Sequence, residues 1–222
     1  MDDRETALWY HERTKHHPGR YARSRGYLDW ANQPDPFRRY EGAEQIELPL
    51  PGEDDAFPYA DLYRLEGIEP EALNERTLSS FFYHSLALSA WKSLGREKWA
   101  LRCNPSSGNL HPTEGYAVVG TVNGLKPGVY HYRPDVHGLE RLAGINGEVA
   151  NGFFAGLTSI YWREAWKYGE RAYRYCQHDV GHAVAALRFA ARLNGWGMTL
   201  MNGITDEKIS HLLGLDREEA FH

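Results

Sequence analysis

The chain has 222 residues, with 25 Lys plus Arg against 30 Asp plus Glu and a formal net charge of −5. That length fits one domain, or one domain with a sizeable arm, and the charge excludes a generally basic nucleic-acid binder. At 42% hydrophobic and 13% aromatic residues, the composition excludes a disordered chain.

Two cysteines, Cys103 and Cys176, cannot build a disulfide framework and point to a reducing compartment. No run approaches the ~18 consecutive apolar residues that a membrane span requires. Residues 1–10 hold three acids and lack the apolar centre of a secretory signal. Together these predict a soluble, cytoplasmic protein with neither a membrane nor a nucleic acid as partner.

Residues 1–72 predict an extended arm. Pro34, Pro36, Pro49, Pro51, Pro58 and Pro70 lie within it. Each fixes φ, removes a donor and biases its predecessor toward extended backbone. Long helices and central strands are therefore excluded between Pro34 and Pro70. Trp9, Tyr10, Tyr21, Tyr27, Trp30, Phe37, Tyr40, Phe57, Tyr59 and Tyr63 punctuate the arm, a density of aromatics that flexible linkers do not carry. The expectation is a segment that wraps a body or a partner subunit; a partly disordered extension is the competing reading.

The body spans 73–222. Leu78, Phe81, Phe82, Ser85, Leu86, Leu88, Ser89 and Trp91 recur as on one helix, closed by Gly95. A polar loop follows over 102–112. Residues 116–122 predict a strand, 129–132 a second and 139–142 a third, separated by turns at Asn123-Gly124, Pro127-Gly128 and 134–138. Residues 153–162 fit a strand or a helix start equally. Residues 178–194 predict a helix with Val180, Ala183, Val184, Leu187, Ala190 and Ala191 on one face, ended by Asn194-Gly195. Residues 197–201 predict a strand. Thr205 predicts the cap of a last helix, with Asp206 and Glu207 in its first turn.

The chemistry concentrates in Pro105-Ser106-Ser107-Gly108-Asn109. Two hydroxyls, a glycine and a side-chain amide between prolines suit a polyhydroxylated or phosphorylated ligand; the same composition also fits a plain turn. His178 and His182, spaced i, i+4 around Asp179, superficially match a zinc-hydrolase helix. No third ligand is spaced to complete a zinc site, so no metal is expected. The competing expectation is that both histidines and Asp179 make buried hydrogen bonds at a helix N-terminus, with Gly181 marking a close helix contact. Cys103 and Cys176 read as core or shielded thiols.

Pro-Ser-Ser-Gly-Asn-Leu-His-Pro over 105–112, followed by Glu114 and a strand, resembles the FMN-contacting loop of the nitroreductase superfamily. Its SagB-type branch, the thiazoline and oxazoline dehydrogenases, is the nearest variety. Residues 128–132 with 137–140 resemble that branch's hairpin. Residues 163–171 through 179–182 resemble the approach to its central helix, and 195–197 through 202–204 the strand and turn beside the flavin. The four segments stand in the family's order within 73–215.

The resemblance implies an α+β fold, an antiparallel-rich central sheet flanked by helices, with the N-terminal arm as an addition. It implies FMN as cofactor, contacted by Pro105, Ser106, Ser107 and Asn109 across a dimer interface, and by the Asn202-Gly203 turn near flavin N5; Arg102, just before the loop, offers a guanidinium to the phosphate or a ring oxygen. It implies Lys167 and Tyr168 as a catalytic pair. The reaction implied is hydride transfer between flavin N5 and a small heterocyclic or peptide-borne azoline substrate. The partner implied is a second copy or a second nitroreductase-like lobe. The chain departs from the family at three points. Asn202 stands where many nitroreductases carry an acid. The Arg-Ser-x-Arg signature is missing, with Arg76-Thr77-Leu78-Ser79 a loose stand-in. Relatives also continue past the last helix with a strand and a basic loop for the FMN phosphate. Two expectations follow: a fragment or first half of a longer two-lobed protein, or a flavin-free, catalytically degenerate lobe serving as scaffold or binding module.

Overall fold

The computed structural model describes residues 2–52, 58–63, 68–146, 149 and 152–216. Phe57, counted above among the arm's aromatics, lies outside them, as do residues 217–222. In chain order the elements are α1 (Asp3–Thr14), β1 (Glu44–Glu47), α2 (Glu75–Ser85), β2 (Leu88–Leu94), β3 (Glu97–Arg102) and β4 (Thr113–Val119). They continue with β5 (Gly128–Arg133), β6 (Gly138–Gly144), β7 (Phe153–Ser159), α3 (Tyr161–Tyr168), α4 (Ala172–Leu193) and α5 (Asp206–Leu213).

The central sheet runs β1-β6-β5-β4-β7, every pair antiparallel. β4 is buried along its whole length, because helices cover both faces of the sheet. Its side chains alternate between them. Ala117 and Val119 join Leu78, Phe82, Tyr130, Tyr132 and Leu187 in the core under α2 and α4. Tyr116 and Val118 join Val129 and Leu213, the latter from α5. Phe82 stacks on Tyr132 with ring centroids 4.6 Å apart, tying α2 to the sheet. The architecture is the α+β, antiparallel-sheet fold expected of a nitroreductase-like chain. No helix among the described residues is long and apolar enough to cross a membrane.

The arm fastens to the body at many points, of which four span its length. α1, capped by the reciprocal Asp2–Glu5 box, lies against the start of α4, where Tyr10 Oη donates to Glu170 O at 2.8 Å. Trp166 Nε1 donates to Asp29 O at 2.8 Å, and the Trp30 ring meets Trp166 edge-on at 5.3 Å. Tyr40 Oη lies 2.9 Å from Tyr116 Oη. β1 pairs with β6 at the sheet edge, the position the prolines leave open to a strand.

The structure corrects three expectations and settles a fourth. The helix expected through Trp91 ends at Ser85, and residues 88–94 form β2, paired with β3 across a turn in which Gly95 has φ +61°. A short apolar run satisfies both periods, and here the hairpin prevails. The 116–122 strand lies three residues earlier, as β4. Residues 153–162, open between strand and helix, are both: β7, then the start of α3. Residues 197–201 form no strand. The Trp196 side chain instead packs on Phe153 at 5.8 Å and donates Nε1–H to Glu71 O at 2.8 Å, holding that stretch as a loop.

Candidate functional site

The serine loop owes its shape to three left-handed residues, Gly108, Asn109 and His111, at φ +62°, +60° and +50°. Only glycine takes that region freely, and the two others are held by bonds. Ser106 Oγ accepts the His111 N–H at 2.9 Å. Asn109 Nδ2 donates to Ala100 O on β3 at 2.8 Å. Ser107 donates both its N–H and its hydroxyl to Asp179 Oδ1 of α4, at 2.9 and 3.1 Å. Burial, reinforced by the nearby Arg102 charge, lowers His111 to about 4, so its imidazole is neutral at ordinary pH.

Lys167 and Tyr168 end α3 beside this loop. A Cβ placed on Gly108 would stand 2.7 Å from Tyr168 Oη and 3.0 Å from Lys167 Nζ. The pair is half-buried. Arg25 of the arm donates to Trp166 O at 2.9 Å, and the Arg171 guanidinium lies 5.5 Å from the Tyr168 ring centre. Burial, then the neighbouring Glu164, pushes the Tyr168 phenol up to about 12. At neutral pH it is therefore a hydrogen-bond donor and not a base.

A buried charge network lies behind the loop. Glu114 bonds Arg163 and takes a hydrogen bond from His131 at 3.0 Å. His131 reaches Glu140 with its other nitrogen at 2.9 Å. Burial acts to raise Glu114, but the His131 bond and the charges of Arg102 and Arg163 outweigh it and hold that carboxyl at about 2. Arg163 also donates to His111 O at 2.7 Å, so the network fixes the end of the serine loop.

In front of the loop opens a cleft of about 910 Å³. Trp30 and Phe37 of the arm, Trp91 and Lys98 of the β2–β3 hairpin, Gly108 and Asn109 of the loop, and Trp166 and Lys167 of α3 line it. The Lys98 ammonium sits 4.4 Å over the Trp91 ring.

Of the residues expected from sequence, Asn109 and Lys167 line the cleft, and Ser106, Ser107 and Tyr168 are their neighbours in the loop and at the end of α3. Pro105 is exposed at the loop's start. Arg102 is buried behind the loop, its terminal nitrogens donating to Pro36 O at 2.6 Å and Thr113 O at 3.0 Å. Asn202 and Gly203 are exposed in the turn before α5. His178 and His182 are exposed, which corrects the expectation of buried histidine hydrogen bonds at a helix N-terminus: α4 starts at Ala172, and only Asp179 faces inward. Gly181 makes no close helix contact, since a Cβ there would meet nothing within 4 Å. Cys176 is buried, whereas Cys103 is exposed rather than shielded.

The cleft fits a planar ring system such as a flavin: its volume is that of a cofactor pocket, its walls are aromatic, and Lys98 supplies positive charge. The loop meets such a ring with backbone, because the side chains of Ser106, Ser107 and Asn109 are all bonded within the chain. Sequence reasoning missed Glu164, the arm's Trp30 and the hairpin's Trp91. Glu164 had a signal, since it precedes Lys167 by three residues and so shares its helix face. Trp30 and Trp91 had none, because nothing local shows that arm and hairpin meet.

A nitroreductase family model matches residues 93–221. The chain belongs to the nitroreductase family. A nitroreductase-like protein of Methanocaldococcus jannaschii is 30% identical over 122 residues, covering 49% of this chain and 62% of that protein. The trifolitoxin-processing protein TfxB of Rhizobium leguminosarum bv. trifolii is 30% identical over 135 residues, covering 50% of this chain and 35% of that protein. Its name agrees with the resemblance to the SagB-type branch. Among solved structures, a nitroreductase-like protein of Anabaena variabilis superposes with a TM-score of 0.74 at 28% identity, covering 95% of this chain and 43% of that one. The Escherichia coli microcin synthetase McbBCD complex, with truncated pro-MccB17 bound, gives a TM-score of 0.55 at 20% identity, over 72% of this chain and 68% of that one, and shows the shared fold alone. The nitroreductase-family chain thus spans under two thirds of both curated relatives and under half of the Anabaena protein.

Proposed function

We propose that this chain is a catalytic lobe of an FMN-dependent oxidoreductase of the SagB type, acting on a small heterocyclic or peptide-borne azoline. The observation that carries the reading is the packing of Lys167 and Tyr168 against Gly108 of the serine loop, at a cleft walled by Trp91, Phe37 and Trp166. FMN, when bound, supplies a hydride acceptor at N5. The chain's own residues handle the rest. The aromatic walls orient a flat ring and exclude water. Lys167 takes the proton that leaves as an azoline becomes an azole, and Tyr168 donates a hydrogen bond to the heterocycle. The lengths of the relatives support a second copy or a second nitroreductase-like lobe as the source of further cofactor contacts. The two free cysteines support a cytoplasmic location.

The test is the absorbance spectrum of the full-length protein with and without added FMN, followed by turnover of Lys167→Ala and Tyr168→Phe. The reading expects flavin bands, and variants that keep the spectrum but lose about 10²-fold or more in rate, the usual weight of a proton-transfer group. Unchanged turnover in both variants removes the catalytic pair. One observation favours a second reading, a flavin-free scaffold: the side chains of Arg102, Ser107 and Asn109 are all bonded within the chain. It expects a protein that stays colourless at saturating FMN.

A further inference from the structure

Two carboxyls meet where α3 lies against α4. Glu164 is fully buried and Asp179 is 1% exposed. Ser107 fills one oxygen of Asp179 with two hydrogen bonds. The other oxygen of Asp179 and both oxygens of Glu164 meet no other N–H or O–H donor among the described residues. The two carboxyls lie within hydrogen-bonding reach of each other. As two anions they would repel in a dry seam and carry the full cost of desolvation. A single proton removes both penalties, because it makes one carboxyl a donor to the empty oxygen of the other.

The surroundings say where that proton sits. Burial, then the charge of Asp179 and the bond to it, pushes Glu164 to about 9. Asp179 is also raised by burial, but the Ser107 donors pull it back. The proton therefore rests on Glu164, and the anion on the oxygen that Ser107 solvates. From α3, Lys167 and Tyr168 lie near the pair; from α4, Cys176 does, with the exposed His182 farther out. Glu164 precedes Lys167 by three residues and Tyr168 by four, so all three share one stripe of α3.

We propose that Glu164 and Asp179 hold one proton between them and act as a positioning couple, pinning the serine loop at Ser107 so that Gly108 is held against Lys167 and Tyr168. The shared proton rests on the burial of both carboxyls, their donor-less oxygens and the Ser107 bonds; the couple's bearing on turnover rests on the function proposed above.

Infrared spectroscopy of the full-length protein, with ¹³C-labelled carboxyls and no flavin added, tests the first part. A protonated-carboxyl band is expected at pH 7, fading as pH rises through about 9 and missing from Glu164→Gln. The glutamine keeps a donor of similar reach, so this variant folds. At Glu164 the folded protein holds about one proton more than the unfolded between the ordinary glutamate range and about 9, so this group's share of stability falls with pH across that window. Glu164→Gln should lack that one-proton slope in urea titrations. Absence of the band at pH 7, or its persistence in Glu164→Gln, overturns the proposal. Turnover of the flavin-loaded protein tests the second part: Asp179→Ala should lose about tenfold or more, and Asp179→Asn, which still accepts from Ser107, should restore most of it with an unchanged flavin spectrum. An asparagine variant as slow as the alanine variant overturns the positioning role. A band present in a protein that binds no FMN upholds the shared proton and overturns only the functional reading.

Discussion

His131 Nε2 lies 3.0 Å from Glu114 Oε2, with both side chains shut off from solvent. Glu140 takes the other ring nitrogen at 2.9 Å, so one imidazolium bridges two carboxylates in the middle of the sheet. Burial acts to lower His131, but the bonds to Glu114 and Glu140 outweigh it and raise it.

Replacing His131 with leucine takes one bond and one charge away from each of two buried carboxylates, leaving Glu114 with Arg163 and Glu140 with Arg133. A loss of about 3–5 kcal/mol is expected in urea unfolding, the usual cost of breaking a buried pair from one side. The pH dependence has two limbs of opposite sign. Glu114 is held at about 2, below its ordinary 4.5. Its share of stability is therefore present above pH 4.5 and disappears as pH falls toward 2. His131 is raised above its ordinary 6.5, so its share is complete below that value and disappears as pH rises through the folded-state value. An acid titration of Glu114→Gln should lack the first limb; a variant that unfolds in acid just as wild type does would show that Glu114 is not the group responsible.

Gly108→Ala is expected to silence the site while sparing the core. The residue has φ +62°, and the added carbon would press on Tyr168 Oη and Lys167 Nζ. Displacing reacting groups by about 1 Å can cost on the order of 10²-fold in rate. Circular dichroism should match wild type while turnover drops; full activity in this variant would break the link between loop and pair.

Gly195→Ala tests a different device, the end of α4. Gly195 has φ +68°, and a Cβ would stand 2.6 Å from Glu69 O, a backbone atom that cannot swing away. The expected loss exceeds about 1 kcal/mol, since strain and clash add to the left-handed penalty. Thermal unfolding at fixed protein concentration measures it.

Trp166→Phe removes the donor to Asp29 O and weakens the edge contact with Trp30. About 1 kcal/mol of arm docking is at stake. Trypsin should cut at Arg23 or Arg25 faster in the variant, with the body fragment resistant in both proteins. Equal cutting rates would show that the arm is held elsewhere.

The body was the more readable part of the chain. The β-rich runs over 116–122 and 129–132 and the apolar stripe from Val180 to Ala191 announce their elements, the first displaced by three residues from β4, because each element buries apolar side chains. Helix α1 carried no such stripe: of its residues only Thr14 is buried, and its docking rests on Tyr10, Arg13 and Arg174, polar contacts that leave no periodic trace. The serine loop was legible as chemistry but not as geometry. Nothing local tells that Ser107 turns toward Asp179, 72 residues away. Glu164 looked like any helical acid until its burial was seen.

β1 covers the outer flank of β6 with only four residues, two of them glutamates. An open seven-residue β6 would be a template for strands from other molecules. The strand that replaces that template is short and carries negative charge, and Glu44 is paired with Lys126 at 3.1 Å. Residues 44–47 thus act as a stopper on the sheet, sparing the protein from runaway edge-to-edge association while it lends the arm to the cleft.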